Sequence, residues 1–177
     1  MITSGFNQNF LPDINIRNDF QYGDIGKVLS LHGQVYHQEY DFNHEFEAYV
    51  AEGLGEFASV YQEGKSSLWI AEIKNTAIGS IAILERPGQQ AQLRWFLVHP
   101  EYRGVKLGKY LLEKALKFCQ IAGYDMVFLW TLDNLAAART IYETNGFKRE
   151  DKKKHFLWGH HLVEEYYVLN LNKLSTK

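Results

Sequence analysis

Several things are scarce in this chain, and each shortage closes off a class of protein. One cysteine, Cys119, stands among 177 residues, so no internal disulfide can form and no cysteine-built zinc site can be assembled. No apolar run approaches the roughly 18 residues that a membrane-spanning helix needs, so no membrane partner is expected. The opening residues, MITSGFNQNFLPDI, have neither the basic start nor the continuous apolar stretch of a secretory leader, and a cytoplasmic location is expected. Basic charge is not in excess either. A net charge of −2 and a pI near 6.4 speak against a nucleic-acid partner, whose binding domains are usually clearly basic. Internal repeats and low-complexity tracts are lacking, which points to a single domain over 1–177.

What the chain does have is bulky apolar mass. Hydrophobic residues make up 46%, with four Trp, eleven Tyr and eleven Phe, which excludes a disordered chain. The charge is unevenly spread. Residues 1–64 carry ten acidic and two basic residues (Arg17 and Lys27), net −8; the remainder carries seventeen basic and eleven acidic residues, net +6. Such asymmetry suggests two surfaces of opposite sign, against the plainer reading of solvated helix faces.

Hydrophobic periodicity orders the elements. Asp13–Arg17 alternates like a short strand, and from Asp24 apolar residues recur at helical spacing through Ile25, Val28, Leu29, His32 and Tyr36. A second helix is predicted over His44–Tyr61. Two β-prone runs, Leu68–Ile73 and Ala77–Leu84, and a third, Gln92–Val98, follow. An amphipathic helix is predicted from Leu107 to Ala122, with an apolar stripe of Leu107, Leu111, Ala115, Phe118 and Ala122 and a left-handed cap at Gly123. The continuous apolar run Met126–Thr131 reads as a strand covered on both faces. Asn134 is placed to cap a helix over Leu135–Thr144, and two strands, Phe147–Trp158 and Leu162–Leu171, complete a mixed α/β sheet.

The chemistry concentrates between the third strand and the long helix. Arg103-Gly104-Val105-Lys106-Leu107-Gly108-Lys109 brings three cations and two glycines to a helix N-terminus, whose unpaired amides and partial positive charge suit a phosphate. It is not a Walker A loop, because three residues rather than four separate the glycines and Tyr110 follows the lysine; no G-x-G-x-x-G is present.

The run Leu97-Val98-His99-Pro100-Glu101-Tyr102-Arg103-Gly104-Val105-Lys106-Leu107-Gly108 resembles the acyl-CoA-binding motif of the GNAT superfamily of N-acetyltransferases. The likeness continues through Trp130-Thr131, Asn134–Arg139, Ile141-Tyr142-Glu143 and Asn145-Gly146-Phe147. More narrowly, His32, Tyr36, Glu39-Tyr40 and His155–Val163 are similar to the acetyltransferase half of bacterial proteins that fuse a winged-helix regulator to a GNAT domain. About two dozen residues precede the first helix here, so the regulator itself is not expected in this chain. The resemblance implies a central twisted sheet of about seven strands flanked by about four helices. It also implies acetyl-CoA as cofactor, transfer to a primary amine (small molecule, polyamine or lysine side chain) by direct attack in a ternary complex, and a possible homodimer. A non-catalytic acyl-CoA sensor is the alternative. Lys106 departs from the family, which usually has glycine there. So does Gln92, near where many relatives place a strand carboxylate as base.

By the same resemblance, Phe96, Leu97 and Val98 would hold the pantetheine arm at a bulge, and Arg103–Lys109 would hold the pyrophosphate. Asn134 and Ala137 would flank the arm, and Tyr142 would act as general acid. A phenol near pKa 10 donating to a thiolate whose acid lies near 8.5 is uphill by about 1.5 units; a packing role for Tyr142 is the alternative. Glu85 is the first candidate base, with Glu39, His155 and His160 as others. Tyr36, Glu39, Tyr40 and His155 are expected to line the acceptor site, and the acidic N-terminal third predicts a cationic acceptor. No metal site is expected, because His155, His160 and His161 come without clustered carboxylates. Cys119, beside Phe118, reads as a core or boundary residue rather than a nucleophile.

Overall fold

The computed structural model describes residues 13–172. Its seven strands are β1 (Asn15–Arg17), β2 (Ser67–Ile73), β3 (Thr76–Arg86), β4 (Gln90–Val98), β5 (Met126–Leu132), β6 (Lys148–Leu157) and β7 (His160–Asn170). They form one sheet in the order β1-β2-β3-β4-β5-β7-β6. Helices α1 (Asp24–Tyr40) and α2 (His44–Val60) cover one face; α3 (Leu107–Ile121) and α4 (Ala136–Thr144) cover the other. The mixed sheet of seven strands with four helices is the arrangement the sequence leads one to expect.

Two cores follow from the pleat. Alternate residues of a strand point to opposite faces, so Leu68 and Ile70 pack with Val28, Leu31, Val50, Leu54 and Phe57 of α1 and α2. Trp69 and Ala71 pack with Leu107, Leu111, Leu112 and Ala115 of α3. Local chemistry fixes the helix starts and the sheet edge. Asn43 caps α2 by accepting from the Glu45 amide at 3.0 Å. Arg17 bridges Asp24 and Glu72, and Lys27 adds a second contact to Glu72, which ties β1 and α1 to β2.

Three expectations need correction. The buried stripe of α3 runs through Leu107, Leu111, Leu112, Ala115 and Cys119, while Ala122 is exposed and Phe118 only half-buried. The 3.6-residue period has rotated the stripe by one residue at its C-terminal end. Asn134 caps nothing: Leu135 takes the cap position of α4, and Asn134 is exposed. In β5, Phe128 and Trp130 stack on Tyr166 across the sheet on a half-open face, so this strand is not covered on both sides.

Strands β4 and β5 are the only parallel neighbours among the described strands, and they pair only over Gln90–Gln92 against Met126–Phe128. Beyond Gln92 they part. On the other side of β4 the pairing with β3 slips between Ser80 and Ala82, whose partners are Leu97 and Arg94, so Trp95 and Phe96 together face Ile81. Trp95 takes a left-handed conformation, φ 47°, rarely adopted by a bulky residue. One extra residue inverts the faces. Leu93 belongs to the α3 core, Trp95 and Leu97 to the α1/α2 core, and Phe96 and Val98 lean toward α3. The buried Ser80 hydroxyl donates to the Trp95 carbonyl at 2.7 Å and pins the bulge.

Ser80→Ala is expected to leave that carbonyl unpaired and to cost about 1–3 kcal/mol, read as a lower urea midpoint at unchanged m-value. His32 supplies a pH signature. It is buried on α1, its Nδ1–H donates to the Val28 carbonyl at 2.9 Å, and burial pushes its imidazole down to about 4. The unfolded chain protonates near 6.5. Between about 6.5 and 4 the unfolded state therefore binds more protons, and stability falls as the pH drops through that window. A His32→Gln variant should show a flatter fall of the urea midpoint over this range than the parent; equal slopes would discard the assignment.

Candidate active site

The parting of β4 from β5 opens the sheet, and two cavities meet at the opening. The first, of about 410 Å³, is basic on one side. It is lined by Phe96, Leu97 and Val98 of β4, by Arg103, Gly104, Lys106, Leu107, Gly108 and Lys109, and by Ala136, Ala137, Ala138 and Ile141 of α4. The loop earns its shape from its backbone. Gly104 has φ 81°, which glycine adopts without cost, and Lys106 takes φ 65° at the start of α3. A lysine there costs roughly 1–2 kcal/mol relative to a right-handed residue, so the sequence departure at 106 keeps the geometry a glycine would give. No side chain caps α3, and the first amide bond into the helix is Tyr110 N–H to the Lys106 carbonyl. The amides at the helix start, with the three cations, form a concave positive surface of the kind that holds an anion.

Arg103 is not idle in that loop. Its Nε donates to the Val98 carbonyl at 3.0 Å, and its two Nη groups grip Glu39 at 2.7 and 2.6 Å. The end of α1 is thereby fastened to the loop, and the Glu39 carboxylate holds the guanidinium charge more firmly in place.

The second cavity, of about 360 Å³, is walled by aromatic rings from four elements and the β6–β7 turn: Tyr36, Phe46, Tyr49, Phe96, Trp130 and Trp158. The turn at Trp158-Gly159, both with positive φ, brings Trp158 against Phe42 and Phe46. Polar groups converge among the rings. His155 of β6 stands 3.1 Å from Glu164 of β7, and Gln92, Arg94, Lys153 and His32 also line the space. Tyr142 of α4 is 4% exposed, against Phe96 and Phe147, and burial pushes its phenol well above the ordinary tyrosine range. Both cavities share Tyr36, Phe96, Leu135 and Ala138.

Most of the anticipated residues meet here, and several do not. Phe96, Leu97, Val98, Arg103, Gly104, Lys106, Leu107, Gly108, Lys109 and Ala137 line the basic cavity; Tyr142 and His155 line the aromatic one, and Tyr36 lines both. Tyr40 lies on the basic cavity rather than on the acceptor side, and Glu39 faces Arg103 and lines neither. Val105 points outward, and Asn134 reaches neither space. Glu85 is on the α3 face of the sheet, away from both cavities. It pairs with Lys65 at 3.2 Å near the β3–β4 turn, where residues 85 and 91 face each other, and it lines only a separate surface hollow. Glu85, the first candidate base, thus lies outside both cavities, because the pleat turns it to the face opposite Gln92.

The acidic N-terminal third does not reach the cavity either. Asp24, Glu39 and Glu56 are taken by Arg17, Arg103 and Arg86, and no carboxylate before residue 65 lines the aromatic space. Arg94, Lys153, Glu164 and the tryptophans there were missed from sequence. A signal existed in β4, where Gln92 and Arg94 alternate with buried Ala91, Leu93 and Trp95 and so mark a polar face.

Comparison with known proteins accords with this geometry. The sequence profile of the acetyltransferase (GNAT) family matches residues 33–147. An N-acetyltransferase of Schizosaccharomyces pombe is 33% identical over 81 residues, covering 45% of this chain and 50% of the relative. N-acetyltransferase family 8 member 3 of Rattus norvegicus is 32% identical over 89 residues, covering 48% and 39%. The chain thus spans half or less of the length of these curated relatives. Among solved structures, a GNAT-family acetyltransferase of Staphylococcus aureus Mu50 superposes with a TM-score of 0.74 at 20% identity, over 89% of this chain and 99% of that one. An acetyltransferase of Bacillus anthracis in complex with acetyl coenzyme A gives a TM-score of 0.55 at 22% identity, over 65% and 68%. By its profile over residues 33–147 and by the sheet that opens at β4, this chain belongs to the acetyltransferase (GNAT) family.

Proposed function

We propose that this chain is an acetyl-CoA-dependent N-acetyltransferase that moves an acetyl group to a primary amine by direct attack in a ternary complex. The observation that carries the reading is the meeting of a basic, glycine-bearing cavity and an aromatic, imidazole-bearing cavity at Phe96, where β4 has no neighbour on its β5 side. One space suits a phosphorylated donor and the other a small acceptor, with a protonated phenol beside their junction. The resemblance to the transferase half of winged-helix fusions belongs to this reading too, through Tyr36 and His155, which both line the acceptor space.

Bound acetyl-CoA would supply the acetyl thioester, and the chain's residues do the rest. Arg103, Lys106, Lys109 and the first amides of α3 would take the pyrophosphate. The unpaired edge of β4 at Leu97 and Val98 offers backbone groups to the pantetheine arm, and Ala136–Ala138 are small enough to let it lie close. The amine must lose a proton to attack. His155, which lines the acceptor space with the Glu164 carboxylate 3.1 Å from its Nε2, is placed to accept it. Gln92 cannot, having no basic group, and its amide oxygen accepts from Arg86 at 2.9 Å. Tyr142 keeps its proton at neutral pH because burial disfavours the phenolate. The same poorly solvated surroundings raise the proton affinity of a departing thiolate, which narrows the gap between donor and acceptor.

Tyr142→Phe should lower kcat by about 100-fold or more with acetyl-CoA affinity by calorimetry preserved; unchanged turnover would remove the acid role, and binding without thiol release in the parent would favour a sensor. His155→Ala should lower kcat/KM by a similar factor at neutral pH and recover part of it as the pH approaches the pKa of the amine, where the acceptor deprotonates unaided. Glu39→Gln should tighten acetyl-CoA binding by roughly two- to fivefold, the worth of a half-exposed ion pair that no longer competes for Arg103.

A further inference from the structure

The described chain has six arginines, and five have a carboxylate partner: Arg17 with Asp24, Arg86 with Glu56, Arg103 with Glu39, and Arg139 and Arg149 with Glu165. Arg94 has none. No ion pair or hydrogen bond joins its guanidinium to another described residue, although it is half-buried and lines the aromatic cavity. It is held instead by ring faces, 4.7 Å from the centroid of Trp95 and 5.4 Å from that of Tyr49. Helix α2 makes room for it. Gly53 is buried, and a Cβ there would come within 2.8 Å of both Nη1 and Nη2.

A guanidinium kept in place by flat, apolar surfaces, with its N–H fork unsatisfied by protein, is suited to a planar anion that can accept two parallel bonds. The sign of the cavity agrees. Lys153 is the other cation lining it, 5.0 Å over the Trp130 ring, and the one carboxylate lining it, Glu164, stands 3.1 Å from the His155 imidazole. A positive group on β4 and an imidazole–carboxylate pair on β6 and β7 make two separate poles within one space.

We propose that Arg94 recognises a carboxylate carried by the amine acceptor, so that the preferred acceptors are amines of the amino-acid type rather than polyamines or lysine side chains. This rests on the transferase reading for the identity of the reacting nitrogen. The carboxylate seats on the Arg94 fork beside Tyr49 and Trp95, and the amine reaches toward His155 and the junction at Phe96.

The test uses a panel of L-amino acids, the matching L-amino-acid amides and a polyamine, in two assays. In the first, thiol release from acetyl-CoA is followed; the parent should favour acids over their amides by about tenfold or more in kcat/KM, the worth of a charge-assisted hydrogen bond. In Arg94→Gln the acid-to-amide ratio should collapse toward one, and Arg94→Lys should restore only part of it. Gly53→Ala, which displaces the guanidinium without removing its charge, should also lower the ratio. In the second assay the same pairs are titrated calorimetrically into protein saturated with coenzyme A, where the preference is read without turnover. A carboxylate preference in binding, lost in Arg94→Gln, with no turnover on any amine would refute the transferase reading and uphold the Arg94 assignment. Equal handling of acids and amides, preference for the polyamine, a ratio indifferent to Arg94→Gln, or no binding by any panel member would overturn the assignment.

Discussion

Strand β4 holds its parallel partner β5 for three residue pairs and then lets go, and the functional geometry depends on that loss. A sheet that stayed closed would satisfy every backbone group of β4 and leave no place for a ligand to run between strands. Letting go exposes an edge in the middle of the sheet, where an extended arm can pair with the backbone as a strand would. The bulge at Trp95 and Phe96 is the companion device. By inserting one residue it turns Trp95 to the side of α1 and α2 that Arg94 already faces, while Phe96 and Val98 face α3. A single strand thereby serves two different cavities, and the Ser80 hydroxyl keeps the inversion in register.

The electrostatics follow a division of labour. Carboxylates of the first third are spent on arginines that hold elements together, such as Asp24 on Arg17 and Glu56 on Arg86. Glu39 and Arg103 are the exception, since this pair joins the end of α1 to the phosphate-type loop and stands where a bound anion would compete for the guanidinium. Buried groups without charge do the opposite task. His32 stays neutral and Tyr142 stays protonated because their surroundings penalise ions.

The element order, both cores and the basic loop could be read from spacing, because burial on one face of a helix or strand writes itself into the sequence as period 3.6 or period 2. Long-range direction could not. Glu85 and Gln92 stand one rung apart in the β3–β4 hairpin, yet the pleat sends them to opposite faces, and only the ladder, which sets Glu85 opposite residue 91, shows it. Asn134 is a good capping residue by type, but Leu135 takes the cap. The net charge of residues 1–64 was visible and misled, since charge counts carry no information on which carboxylates are already paired. The role of Arg94 was hidden for a related reason: its distinction is the absence of a partner, which no residue type announces.

The burial of Cys119 has a practical corollary. The thiol is fully enclosed in the α3 core and pushed up to about 12, so in the folded chain it is neither accessible nor ionised at neutral pH. A chromogenic disulfide reagent added to the native protein therefore meets no reactive sulfur of its own. The only colour in a turnover assay would come from coenzyme released in solution, and a slow background, where it arises, would time the opening of the core itself.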